Sequence, residues 1–269
     1  DAILAAGDDC ARLDDFAGKR AQVECVSANP TGPITVGRVR GGVMGDTLAR
    51  LLEAMGYNVE MEYYFNNAGR QMRLLGESVK ARYREVLGLE ATFPDGGYQG
   101  DYIYDIAQAL VDERGDALAD AHWEVFKEDA EARIFEMIRA SLKRVGITFD
   151  VFFNEMSLYE DGSVWRTLEA LEAKGLVYEA HRPERDEDYE ERPDEEELDA
   201  AGEGGKAKWI RMRRLRDVKK DKALVKADGE PTYRLPDTAY HINKLERGFD
   251  LAVNILGDDQ RHISDLFAT

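Results

Sequence analysis

Ala28-Asn29-Pro30-Thr31-Gly32-Pro33-Ile34-Thr35-Val36-Gly37-Arg38 is the stretch on which the fold turns. It lies between an apolar, β-prone run, Ala21 to Ser27, and a helical pattern that starts near Val39. A strand, a Pro/Gly loop and a helix N-terminus, in that order, make the geometry that holds nucleotide phosphates. The loop exposes backbone N–H groups and the helix dipole favours negative charge. Moving outward, Val43, Leu48, Leu51, Leu52 and Met55 recur at helical spacing, and Gly56 follows as a stop signal. Val59 to Phe65 alternates as a second strand. Strand, helix and strand over residues 21–65 form a βαβ unit and hence the start of a parallel sheet.

The rest of the chain extends this pattern. Ala2 to Phe16 reads as a short leading helix, and a further helix is expected from Asn66 to about Leu87. Phe93 to Gly100 is turn-rich, followed by helices over Tyr102–Glu113 and Ala119–Val145 and a short strand, Phe149 to Phe153. Ser163 to Lys174 is helical, closed by Gly175, and Leu176 to Glu179 is a short strand. Lys208–Met212 and Ala223–Lys226 read as a small ribbon. Pro231 to Arg247 returns to helix, with Pro236 delaying or kinking its start. Leu251 to Leu256 is a buried-strand pattern ahead of Gly257 and a short terminal helix. The expectation is a doubly wound α/β sheet interrupted by an insertion. Residues 1–92 form the first half, 93–222 the helical and β-ribbon insertion, and 223–269 the return to the sheet. In such sheets ligands bind beyond the carboxyl ends of the strands, at the topological switch point.

Composition bounds the function. The chain has 269 residues, 43% of them hydrophobic, enough for a sizeable core. No apolar run approaches a membrane span and no signal-peptide pattern opens the chain, so it reads as a cytoplasmic protein without a membrane partner. Cys10 and Cys25 fit neither a disulfide framework nor a zinc site and read as buried or inert thiols. A net charge of -18 argues against a generic nucleic-acid binder. The charge is uneven. Glu184 to Asp199, within an acidic segment 184–205, reads as a solvated, disordered loop or as a tail for a partner. Arg211, Arg213, Arg214, Arg216, Lys219, Lys220 and Lys222 follow closely. They could contact phosphates, or form an exposed ribbon face neutralised by the acidic loop.

Several strings together carry a family resemblance. Glu24-x-x-Ser27-Ala28-Asn29-Pro30-Thr31-Gly32-Pro33 is one; Tyr63-Tyr64-Phe65-Asn66-Asn67-Ala68-Gly69, Leu75-Gly76-Glu77-Ser78 and Tyr98-Gln99-Gly100-Asp101-Tyr102-Ile103 are others. Pro231-Thr232-Tyr233, Ala239-Tyr240-His241 and Lys244-x-Glu246-Arg247-Gly248-Phe249-Asp250 complete the set. The chain from Ala21 onward resembles the catalytic domain of arginyl-tRNA synthetase, a class I enzyme with a Rossmann-type fold. The acidic loop is the main stretch foreign to that pattern. The family carries His-x-Gly-His where this chain reads Thr35-Val36-Gly37-Arg38. No Lys-Met-Ser-Lys-Ser-type loop and no anticodon-binding domain occur in these residues, which fits either a fragment or a stand-alone paralogue.

The resemblance implies a pocket for ATP, with Mg²⁺, and for L-arginine. It further implies that arginine is activated to arginyl-adenylate and then passed to the acceptor end of tRNA. Phosphate charge in that step needs fixed donors. The resemblance places Pro33, Thr35, Gly37, Arg38, Gly257 and Asp258 at ATP, with Thr35 and Arg38 in the catalytic positions of the signature histidines. A guanidinium has five donors and keeps its charge, so it calls for carboxylate acceptors. The resemblance supplies Glu24 and Asp237 for the guanidinium, Tyr233 packing against or hydrogen-bonding the side chain, and Asn29 and Gln260 for the α-carboxylate and α-amino ends. A spacing of four puts Tyr233 and Asp237 on one helix face. Of the histidines, His241 and His262 fall near the expected crevice without a role, while His122 and His181 read as surface or packing residues. Two alternatives stay open: an arginine-binding or regulatory paralogue that does not charge tRNA, and an enzyme that activates arginine for another acceptor.

Overall fold

β1 (Arg20–Glu24) pairs in parallel with β2 (Asn58–Phe65) through the crossover helix α1 (Val36–Ala54). The computed structural model describes residues 5, 7–184, 195–202, 204–214 and 220–257. The described residues divide into two units, those up to 154 with 250–255 and those of 155–249 with 256–257.

In the first unit, α2 (Gly69–Val86), α3 (Asp101–Arg114) and α4 (Trp123–Arg144) follow β2, and β3 (Val151–Asn154) and β7 (Leu251–Asn254) complete the sheet. The strand order is β3-β2-β1-β7, with every neighbouring pair parallel. This is the expected α/β, Rossmann-type arrangement. The chain steps from β1 to β2 and β3 on one side, and β7 returns on the other. The loop after β1 therefore stands at the switch point.

The sheet has two unlike faces. Ala21, Val23, Met61, Tyr63 and Phe65 are buried in the main core with Met72, Leu75, Val79 and Tyr83 of α2 and Phe126, Ile134 and Ile138 of α4. Strand alternation places Gln22, Glu24 and Glu62 on the opposite face. Gln22 and Glu62 are wholly buried, and the Gln22 amide donates to the Glu62 carboxylate at 2.7 Å. A buried carboxylate needs such a donor.

In the second unit, α5 (Met156–Glu160) and α6 (Ser163–Ala173) lead into β4 (Val177–Ala180), α7 (Glu195–Ala201), β5 (Ala207–Ile210), β6 (Lys222–Val225) and α8 (Arg234–Glu246). The expected two-stranded ribbon is a three-stranded antiparallel sheet, β4-β5-β6. Trp209 is buried there and donates from its indole to the Ala180 carbonyl at 2.8 Å. Pro236 stands in the first turn of α8, where a missing N–H costs no helical hydrogen bond, so the helix starts cleanly at Arg234.

Three expectations are corrected. The leading helix expected over residues 2–16 does not extend past its start: Ala5 is helical, Gly7–Asp9 form one 3₁₀ turn, and residues 10–16 are turn and coil, while residues 2–4 and 6 lie outside the described residues. The helix expected from Asn66 starts at Gly69, because the Asn66 side chain accepts from the Ala68 N–H at 2.7 Å and holds a turn ahead of it. The acidic segment is not loop throughout. α7 forms within it, with Ala200 buried and Asp199 paired to Lys226 at 2.6 Å. Residues 185–194 of the segment lie outside the described residues, as does the expected terminal helix. No helix among the described residues is long and apolar enough to cross a membrane.

Candidate functional site

The loop after β1 begins with a backbone inversion. Val26 and Ser27 have φ of 71° and 39°, the only non-glycine residues with positive φ among those described. For a β-branched valine this conformation is strained. The chain then runs through Pro30 to Pro33 and enters α1 at Thr35. The Thr35 hydroxyl caps the helix by accepting from the Arg38 N–H at 3.4 Å. The cap moves the helix start to Val36, earlier than apolar periodicity indicates.

Side chains from distant elements secure this loop. The Tyr63 hydroxyl donates to the Ala28 carbonyl at 2.9 Å, and the Tyr102 hydroxyl to the Thr31 carbonyl at 2.7 Å. Burial pushes both phenols up to about 12, so they stay protonated donors. Asn29 accepts from the Asn66 N–H at 2.9 Å and donates to Gln71 at 3.0 Å. Arg38 reaches back over its own helix start and donates to the carbonyls of Val26 at 3.0 Å and Ser27 at 3.3 Å.

A cleft of about 280 Å³ opens on the loop, walled by Asn29, Thr31, Pro33, Thr35 and Arg38 on one side and Tyr98 and Tyr102 on the other. Tyr98 is placed from α2: its N–H donates to the buried Ser78 hydroxyl at 2.9 Å. Gly37 presents open space, since a β-carbon there would meet nothing nearer than Thr35 Oγ1 at 4.0 Å. The structure thus brings Asn29, Pro33, Thr35 and Arg38 around one cleft. Glu24, at the end of β1, is buried and accepts from the Ser27 hydroxyl at 2.8 Å. Sequence reading passed over Tyr63, Ser78, Tyr98 and Tyr102 as site-building residues. Their only signal was membership of the matching strings, because the contacts they make are long-range.

Tyr233 and Asp237 belong to the second unit. Tyr233 is the N-cap residue of α8 and half exposed, with the Arg234 guanidinium 4.6 Å from its ring. Asp237 lies one turn on, its N–H donating to the Tyr233 carbonyl at 3.3 Å, so the two are neighbours along the helix start. The His241 ring, buried in the same helix, bonds the Asp237 carbonyl at 2.8 Å. His122 and His181 are exposed, the latter bonded to the Gly205 carbonyl at 2.9 Å. Gly257 is an exposed loop residue, while Asp258, Gln260 and His262 lie outside the described residues.

Among the described residues, the basic run is partly neutralised by Glu184 of the acidic segment and partly buried. Arg211 and Arg213 both pair with Glu184 at 3.0 Å, and Lys220 and Asp221 are buried. The Arg211 hydrogen bond, with Arg213 beside it, holds the Glu184 carboxyl below the usual range. Cys25 is buried, and burial pushes its thiol up to about 12, whereas Cys10 is exposed and not the buried thiol the sequence allowed.

A parallel sheet with a Pro/Gly loop and a capped helix at its switch point defines a Rossmann-type α/β fold. Residues 10–182 match the family "tRNA synthetases class I (R), catalytic domain". The chain belongs to this arginyl family of class I tRNA synthetases. It is 46% identical to an arginine–tRNA ligase of Desulfotalea psychrophila over 96% of its length, and 46% identical to that of Chlorobaculum parvum over 98%. It spans 42% and 44% of those two relatives' lengths. A Campylobacter jejuni protein described provisionally as an arginyl tRNA synthetase superposes with a TM-score of 0.80 at 28% identity, over 98% of this chain and 53% of that one. Thermus thermophilus arginyl-tRNA synthetase shares the fold at TM-score 0.54 and 21% identity, over 84% of this chain and 36% of that one.

Proposed function

We propose that this chain is the catalytic core of an arginine–tRNA ligase, in which the L-arginine carboxylate attacks the α-phosphate of ATP and expels pyrophosphate, and the arginyl group then passes to the tRNA acceptor hydroxyl with release of AMP. The observation that carries this reading is the cleft on the Thr35-capped start of α1, in a chain of the arginyl family. ATP phosphates face the N–H groups of the first helical turn, which a helix leaves unsatisfied. Thr35 and Arg38 stand in the signature positions. Thr35 contributes a hydroxyl, and Arg38 a permanent positive charge that acts on the phosphates through space. Pro33 and Gly37 give the nucleotide close approach, with Gly257 and Asp258 on its ribose side.

For the amino acid, Glu24 and Asp237 take the guanidinium, Tyr233 packs on the side chain, and Asn29 and Gln260 hold the backbone ends. Charge-assisted bonds to a planar guanidinium supply the discrimination against lysine. Mg²⁺ travels with the phosphates. Such a cation is held largely by phosphate oxygens and water.

A second reading, an arginine-binding module without ligase activity, is favoured by one observation: Thr35 and Arg38 replace the histidine donors, and both already bond the protein's own backbone. Arginine-dependent ATP–pyrophosphate exchange, with and without tRNA, beside a calorimetric arginine titration, separates the two. Exchange above background supports the ligase. Arginine binding without exchange supports the binding module, and absence of arginine binding refutes both.

A further inference from the structure

Two consecutive residues in the left-handed region, Val26 and Ser27, meet one side chain, Arg38, which donates to both their carbonyls at 3.0 and 3.3 Å. Left-handed backbone at a valine persists only where the surroundings over-determine it. A charged donor on two carbonyls is such a determinant, stronger than a neutral one. The inversion has a consequence for chemistry. It turns Ser27 so that its hydroxyl donates to the Glu24 carboxylate at 2.8 Å and accepts from the Tyr64 N–H at 3.2 Å. The hydroxyl thereby couples the turn to a carboxylate on the polar face of the sheet.

We propose that Arg38 is a positioning residue for guanidinium recognition: by clamping the Val26–Ser27 inversion it fixes, through the Ser27 hydroxyl, the orientation of the Glu24 carboxylate. The link to arginine rests on the reading that Glu24 receives the guanidinium. The clamp itself does not. Both bonds leave one nitrogen, Nη1, whose N–H groups are fixed in the plane of the guanidinium, while a lysine ammonium presents a freely rotating point charge on a flexible stem.

The test uses the full chain and the variants R38A, R38K, S27A, the double variant R38A/S27A and E24Q. Two quantities are read for each: hydrogen exchange of the Tyr64 amide, and L-arginine affinity by calorimetry. Melting curves confirm that each variant is folded. R38A is expected to speed Tyr64 exchange and weaken arginine about tenfold, with R38K between it and the parent. S27A is expected to weaken arginine comparably. The double variant is expected to lose no more than the worse single one, because both residues act along one path. Unchanged Tyr64 exchange in R38A overturns the clamp. Faster exchange with unchanged arginine affinity in R38A, while E24Q weakens it, overturns the link to Glu24. So do losses that multiply in the double variant. If E24Q itself binds arginine normally, the guanidinium reading of Glu24 fails and takes the link with it, while the exchange data still decide the clamp.

Discussion

Gly45 of α1 lies directly against Cys25 at the end of β1: a β-carbon on Gly45 would stand 2.4 Å from the Cys25 sulfur and 2.7 Å from its β-carbon. No packed pair of carbons and sulfur tolerates that approach, so the helix sits as low as it does because residue 45 has no side chain. Gly42 is nearly as tight, with a built β-carbon 3.0 Å from Val26 and 3.2 Å from Ile147. Gly45→Ala is expected to lift α1 off the sheet and destabilise the fold by about 1–3 kcal/mol, the range for overpacking a filled core. Chemical denaturation with an unchanged m-value measures it. A variant as stable as the parent would show that α1 is free to shift.

The helix cap carries a smaller term. Thr35→Ala removes the hydroxyl that accepts from Arg38 N–H and is expected to cost ~1 kcal/mol, while Thr35→Ser restores most of it. Thermal melting of the two variants checks this. If Thr35→Ala also abolishes pyrophosphate exchange while leaving ATP binding intact, the hydroxyl serves the reaction as well as the helix.

Tyr102 holds the turn from outside. Its ring lies over Gly32, where a β-carbon would come within 2.8 Å of the hydroxyl, and that hydroxyl bonds the Thr31 carbonyl. Tyr102→Phe keeps the ring and removes one hydrogen bond, worth ~0.5–1.5 kcal/mol. Titration with a non-hydrolysable ATP analogue is expected to show a few-fold weaker affinity, with arginine affinity little changed.

The two thiols differ in reach. At mildly alkaline pH a thiol reagent is expected to label Cys10 alone in the native chain, and both cysteines after denaturation. Cys25 is wholly buried, and burial, with Glu24 and Asp46 adding to it, keeps its thiol protonated to about 12. Mass spectrometry of the labelled chain counts the adducts.

Glu184 ties acid stability to the second unit. Hydrogen bonding from Arg211, with Arg213 beside it, lowers its folded-state pKa. A carboxyl whose folded value lies below its unfolded value stabilises above the unfolded value, about pH 4, and loses that contribution as pH falls through the folded value. Asp221, raised chiefly by burial, works in the opposite sense. The difference between parent and Glu184→Gln is therefore the readout. The variant is expected to be less stable at pH 7, with the gap closing towards pH 3, as followed by melting temperature.

Much of the fold was legible because its signals are local. The β1–α1–β2 unit shows as an apolar run, a Pro/Gly loop and an alternating strand, since 3.6- and 2-residue periods survive in any short window. Glu195–Ala201 was not legible as a helix. Its acidic composition reads as solvated, and its partners come from far along the chain: Ala200 is buried and accepts from the Ala227 N–H at 2.8 Å, and Asp199 pairs with Lys226. β4 joined the ribbon for a similar reason: its pairing with β5 lies across the whole acidic segment.

By itself the sequence determined the family, the parallel α/β class, the Pro/Gly loop at the end of the first strand and the candidate residues around it. Each of these is written in contiguous residues or in a fixed spacing. Only the tertiary structure decided what those residues hold. It turned Val26 and Ser27 left-handed, and it aimed Arg38 at their carbonyls and not at open solvent. It set Thr35 as a cap and closed the cleft with Tyr98 and Tyr102. The reason is that a side chain's hydrogen-bond partner depends on which backbone groups the sheet and its helices bring within about 3 Å, and that proximity is a property of packing across the chain.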